Sequence, residues 1–222
     1  MERLKTECAY CGATKNLTRD HIPPKAIFPE PRPGDLITVL ACRTCNASFQ
    51  QDDEYFTTSL ALRAGIERTP QGRRLVDVVR RSWGRPEAQR FQNFVASTLR
   101  VAGDNADRFG VRPETVGQWI DASRLGRTTS RIVRGLLYHD TGKRLPPEYH
   151  TVSILLEQAD DVTKSALLKP LLGRAPVETG NGAFAYVWNT TVDDFSSAWL
   201  LVFYAEAATF LVATGKRQPN NT

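Results

Sequence analysis

All four cysteines of the chain lie in its first 46 residues, in two pairs of one spacing, Cys8-Ala-Tyr-Cys11 and Cys42-Arg-Thr-Cys45. A C-x-x-C bend presents two thiolates from one tight turn, and two such bends supply the four ligands that tetrahedral Zn²⁺ takes in a structural site. If both pairs close on one ion, the ends of the 8–45 segment must meet, whatever lies between them. The expectation is therefore a structural zinc held by Cys8, Cys11, Cys42 and Cys45. Metal-type pairing with no cysteine left over fits a reducing cytoplasm better than a disulfide framework does. The charged start Met1-Glu2-Arg3-Leu4-Lys5 does not read as a secretory leader. The most apolar stretch, 198–214, contains Glu206 and is dense in aromatic and β-branched residues. It reads as buried strand and not as a membrane span.

Between the cysteine pairs, residues 16–22 read as a short strand that ends at Pro23-Pro24, where no backbone N–H is left to continue a ladder. Residues 25–35, with Pro29, Pro31, Pro33 and Gly34, read as a stiff loop, and Leu36 to Leu40 as a second strand. A helix is expected from Arg43 to about Arg68. The order is strand, loop, strand, helix. Asp20 and His21 sit at the end of the first strand, and Asn46 directly follows the last cysteine. Phosphodiester hydrolysis needs an activated water and a counter-charge for the phosphate. Imidazole takes a proton near neutral pH, while a carboxylate and an amide oxygen are hard ligands suited to Mg²⁺ or Mn²⁺. His21, Asp20 and Asn46 are the candidates for these roles. In a regular strand Asp20 and His21 would leave on opposite faces. Gln50 and Asp53 follow Asn46 at i+4 and i+7, and a solvated helix face is the favoured reading for them.

The run Cys-x-x-Cys-Gly, then Asp20-His21-Ile22-Pro23-Pro24, then a strand, then Cys-x-x-Cys-Asn46 resembles the zinc-stapled branch of the HNH endonucleases over residues 8–56. The resemblance implies a ββα-metal core. It also implies His21 as general base and a single divalent cation, Mg²⁺ or Mn²⁺, on Asp20 and Asn46, separate from the four-cysteine zinc. One position departs from the pattern. Nine residues before Asn46, where the family usually carries its middle Asn, stands Ile37. Asp35 in a shifted register, or a backbone carbonyl, would have to serve instead.

The net charge of +5 is unevenly distributed. Residues 63–144 hold 17 basic against 8 acidic residues, and 16 of the 17 are Arg, whose planar fork suits phosphate. Helices are expected over 70–83, over 87–101, from Pro113 through Val116, Trp119 and Ile120, and over 128–139. Strands are expected over 149–156, 183–191 and 196–214, the last of these long enough for two. The expected fold class is α+β: an HNH-type core (1–68), an Arg-rich helical segment (69–147) and a β-rich C-terminal segment (148–222). The expected function is metal-dependent hydrolysis of DNA, with nucleic acid held by Arg19, Lys25, Arg43, Arg73, Arg74, Arg80 and Arg81. The alternative is a zinc-stapled binding or regulatory module that does not cut.

Overall fold

A computed structural model describes residues 6–101, 116–118 and 120–216. The chain is mixed α+β. Strands β1 (Leu17–His21) and β2 (Thr38–Cys42) pair antiparallel, with Asp20 opposite Val39 and His21 opposite Thr38. One further bond, from the Ile22 N–H to the Ile37 carbonyl, precedes the two prolines that end the ladder. Helix α1 (Arg43–Ser48) starts directly from β2, capped by the Cys42 sulfur, which accepts the Cys45 N–H. The single helix expected from Arg43 to Arg68 is interrupted. Phe49 separates α1 from α2 (Gln50–Ala61), and Gly65, at φ +86°, turns the chain into a 3-10 turn over Ile66–Arg68.

Helix α3 (Pro70–Trp83) begins as the sequence indicates: the Thr69 hydroxyl accepts the Gly72 N–H, and Pro70 occupies the first turn. Helix α4 (Gln89–Thr98) gives way to β3 (Leu99–Val101), which pairs with β4 (Val116–Gln118). This corrects two expected helices. The one over 87–101 loses its last turn to a strand, and Val116 is extended, because Val101 and Val116 pair across a small antiparallel ladder instead. Pro113, Trp119 and the turn expected over 103–110 lie outside the described residues. Helix α5 (Ala122–Thr141) is longer than expected, with Asp121 capping its start and Gly142, at φ +69°, ending it. Leu125, Ile132, Val133, Leu136 and Leu137 form its buried stripe.

The C-terminal part is an antiparallel five-stranded sheet. Its strands are β5 (Tyr149–Leu155), β6 (Val177–Thr179), β7 (Phe184–Thr190), β8 (Ser197–Phe203) and β9 (Ala208–Lys216), in the spatial order β5-β9-β8-β7-β6. The 196–214 stretch is two strands, reversed at Tyr204, Ala205 and Glu206, all at positive φ. Helix α6 (Asp161–Leu168) and strand β6 are additions that the sequence did not announce.

One hydrophobic cluster runs from Cys8 through α2 and α5 to Val212. Phe56 of α2 packs on Phe203 and Phe210 of the sheet. The Tyr204 hydroxyl donates to the Ile27 carbonyl, and the Thr179 hydroxyl to the Asp35 carbonyl. The N-terminal hairpin is therefore built into the same core as the sheet.

Candidate functional site

Both cysteine bends are shaped by backbone hydrogen bonds. The Cys8 N–H donates to Ala13 and the Gly12 N–H to Cys8, with Gly12 at φ +79°, and the Ala9 N–H ties the first bend to Leu40 of β2. The sulfurs of Cys8, Cys11, Cys42 and Cys45 all lie within 4.8 Å of one another. Cys11 and Cys42 are 3.7 Å apart, close to the ~3.8 Å edge of a tetrahedron with Zn–S bonds of about 2.3 Å. These four thiols could hold a metal ion. Burial opposes ionisation of Cys8, but the N–H groups of Cys42, Cys11 and Tyr10 outweigh it and bring the thiol down to about 7. Burial and the neighbouring sulfurs push Cys45 up. Cys11 also rises, because burial and the Cys8 and Cys42 sulfurs outweigh the Ala13 N–H. A bound cation would draw off the thiol protons.

Asp20, His21 and Asn46 do not converge. The β1 ladder is regular as far as His21, so Asp20 and His21 leave it on opposite faces. Asp20 points inward and is 3% exposed, whereas His21 is half-buried. Asn46 lies on the Asp20 side, its amide Nδ2 donating to the Thr18 hydroxyl at 3.0 Å. The His21 ring makes no hydrogen bond among the described residues. Burial, and after it the charge of Lys25, holds the imidazole below its ordinary pKa, so it is neutral and able to accept a proton at pH 7. Asp35 does not bond the ring; its carboxylate accepts the Gly180 N–H.

Asp20 already has partners. Its Oδ2 accepts the Tyr10 hydroxyl at 2.6 Å and the Arg131 Nε–H at 3.1 Å, and its Oδ1 accepts from Arg131 Nη2. The other arm of Arg131 reaches Asp53. The guanidinium lies over the Phe49 ring, 4.5 Å from its centroid, and Tyr10 meets that ring edge-on. A hydrated divalent cation on Asp20 would have to displace a buried guanidinium, from a carboxylate that has three of its roughly four acceptor positions satisfied. The Asp20–Asn46 pair as it stands does not fit such an ion. One cation between two carboxylates leaves Asp53 under-compensated. Burial raises Asp53 to about 6, against the pull of Arg131.

Neither Tyr10 nor Arg131 was singled out from sequence. Arg131 lies 111 residues from Asp20 and sits among the Arg-rich positions of α5. Its one signal is that it falls on the line between Thr128 and Gly135, a buried side of the helix. Gly135 explains the approach: a Cβ there would lie 2.6 Å from Ile22 Cδ1, so the helix can press against the end of β1 only without a side chain.

Asp53 opens into a cleft of about 780 Å³ between the 26–32 loop, α2 and α3, which Gln50, Arg32, Arg74 and Arg81 also line. Gln50 is exposed, as a solvated helix face expects, whereas Asp53 is half-buried and paired with Arg131. The four α3 arginines divide. Arg74 and Arg81, seven apart, face the cleft, while Arg73 donates to the Glu67 carbonyl and Arg80 to Asp77. Arg19, Lys25 and Arg43 are exposed. Comparison with protein-family models, curated proteins and solved structures finds no match for this chain. No described helix is long and apolar enough to cross a membrane.

Proposed function

We propose that this chain is a zinc-stapled hydrolase of phosphodiester bonds in nucleic acid, of the HNH type, with DNA as its substrate. One observation carries the reading. Four sulfurs within 4.8 Å pin a strand pair whose first strand ends in Asp20-His21, and pin the helix that carries Asn46. His21 is the base. Its neutral ring takes a proton from water, and the water oxygen bonds to phosphorus as the bond from phosphorus to one ester oxygen breaks. That oxygen leaves as a hydroxyl after taking a proton from solvent, and Lys25 and Arg32 beside the ring supply positive charge for the phosphate. Zinc holds the platform and takes no part in the reaction, because four thiolates leave it no open position. The resemblance also brings Mg²⁺ or Mn²⁺. No step is drawn through that ion, since Asp20 is bound to Arg131.

The same bond favours a second reading, a module that binds nucleic acid without cutting it. A radiolabelled DNA strand, free or in a duplex, separates the two. The first reading expects cleavage products that are lost with His21→Ala while binding persists. Binding by both proteins with intact DNA, with or without added Mg²⁺ or Mn²⁺, establishes the second.

A further inference from the structure

A second cleft, of about 720 Å³, lies along α5 and is distinct from the one beside α3. Ser123, Gly126, Arg127, Ser130, Arg131 and Arg134 line it, at spacings of three and four, so one face of the helix forms its floor. Gly126 and Ser130 leave room at the centre. Ser48 and Phe49 form one wall, and Thr151, Val152 and Ser153 of β5 the other. Val152 is 59% exposed, an apolar surface beside the polar floor.

The charges in this cleft are unequally matched. Among the described residues Asp52 is the only acidic one lining it, and it is shared by Arg124 and Arg127. Arg131 is neutralised from behind by Asp20 and Asp53. Arg134 has no carboxylate partner among the described residues. Its Nη2 donates to the Tyr10 carbonyl at 2.8 Å, and its buried Nε–H has no acceptor. The Ser130 hydroxyl, midway along the floor, makes no hydrogen bond among the described residues. Arg127 already donates through Nε and Nη2 to Asp52 and through Nη1 to Ser123, so a ligand would share that fork. The unpaired Ser130 hydroxyl, the Arg134 guanidinium with no carboxylate partner and a concave polar floor together match a tetrahedral anion.

We propose that this cleft binds phosphate groups of a nucleic-acid strand, with Arg127 and Arg134 at its two ends and Ser130 between them. The shape favours a strand over a free ion. Arg127 and Arg134 are two helical turns apart, about 10 Å along the axis, so two phosphates of one strand can engage both, whereas a single ion engages one. Val152 and Phe49 then flank the sugars. This rests on the nucleic-acid half of the proposed function and not on cleavage.

The test is fluorescence anisotropy with a labelled single-stranded 12-mer and its duplex, on wild type, Ser130→Asp, Arg127→Gln and, as a charge control at an exposed lysine that does not line the cleft, Lys169→Gln. Calorimetry with inorganic phosphate runs beside it, and melting curves confirm that each variant is folded. The expected result is at least a tenfold loss of affinity in Ser130→Asp, and a salt slope shallower by about one in Arg127→Gln. Lys169→Gln should bind as wild type does. Unchanged oligonucleotide affinity in both cleft variants overturns the proposal. If wild type binds no oligonucleotide, the nucleic-acid reading falls. Phosphate binding that is lost in Ser130→Asp then keeps the cleft as a site for free phosphate, and no phosphate binding removes it.

Discussion

Arg131 brings one positive charge to two carboxylates in a place that water scarcely reaches, and the energetics of the site follow from that imbalance. Removing one partner of a buried pair leaves the other uncompensated, at a cost of about 3–5 kcal/mol. Arg131→Met should therefore lower stability to urea by about that amount. Adding Asp20→Asn to it should restore part of the loss, because the orphaned charge is gone; a double variant less stable than Arg131→Met would argue against the network. Asp53 gives the pH signature. Its folded pKa of about 6 lies above the ordinary 3.8, so between those values the folded state holds the extra proton. Stability should fall as pH rises from about 4 to about 6, by no more than about 3 kcal/mol, the equivalent of a two-unit shift. Asp53→Asn should flatten that slope in melting temperatures taken at each pH. An equally steep slope in the variant would place its origin elsewhere.

Helix α5 is the element that joins the hairpin to the sheet, and Gly135 sets how closely it lies. The Cβ of an alanine there would lie 2.6 Å from Ile22 Cδ1, and overpacking of that kind costs about 1–3 kcal/mol. Gly126→Ala is the matched control. The nearest atom to its Cβ is Ser153 Oγ at 3.7 Å, an ordinary contact, so alanine's helix preference should stabilise by up to about 1 kcal/mol. Equal effects of the two substitutions in chemical denaturation would deny Gly135 its packing role. The same contrast shows what the sequence makes visible. The paired cysteines, the Thr69 cap, the Gly142 stop and the Pro23-Pro24 end of β1 act within a few residues, and all were legible. The pairing of Asp20 with Arg131 spans half the chain and leaves no local pattern. The β8–β9 reversal uses Tyr204, Ala205 and Glu206 at positive φ, where turn chemistry would lead one to look for Gly or Asn. Asp53 was read as solvated because helical spacing fixes a side chain's direction and not what lies opposite it.

Across the whole molecule, one core joins the cysteine bends to the sheet, so a loss at the metal-type cluster should be felt throughout. Cys45→Ser should lower the zinc bound per chain and shift one cooperative melting transition to lower temperature; a separate early transition with the main one unmoved would show the N-terminal part melting alone. Five arginines of the middle third stand in three different settings in the folded chain. Arg131 is structural, Arg74 and Arg81 line the cleft beside α3, and Arg127 and Arg134 line the cleft along α5. The decisive measurement is nicking of supercoiled plasmid by the zinc-loaded protein, compared with His21→Ala and Asp20→Asn at equal folded concentration. Nicking that disappears in His21→Ala and persists per folded molecule in Asp20→Asn is the expected result, with His21 as base and Asp20 as the partner of Arg131. Nicking that survives in His21→Ala, or is absent from wild type with every metal tried, contradicts it.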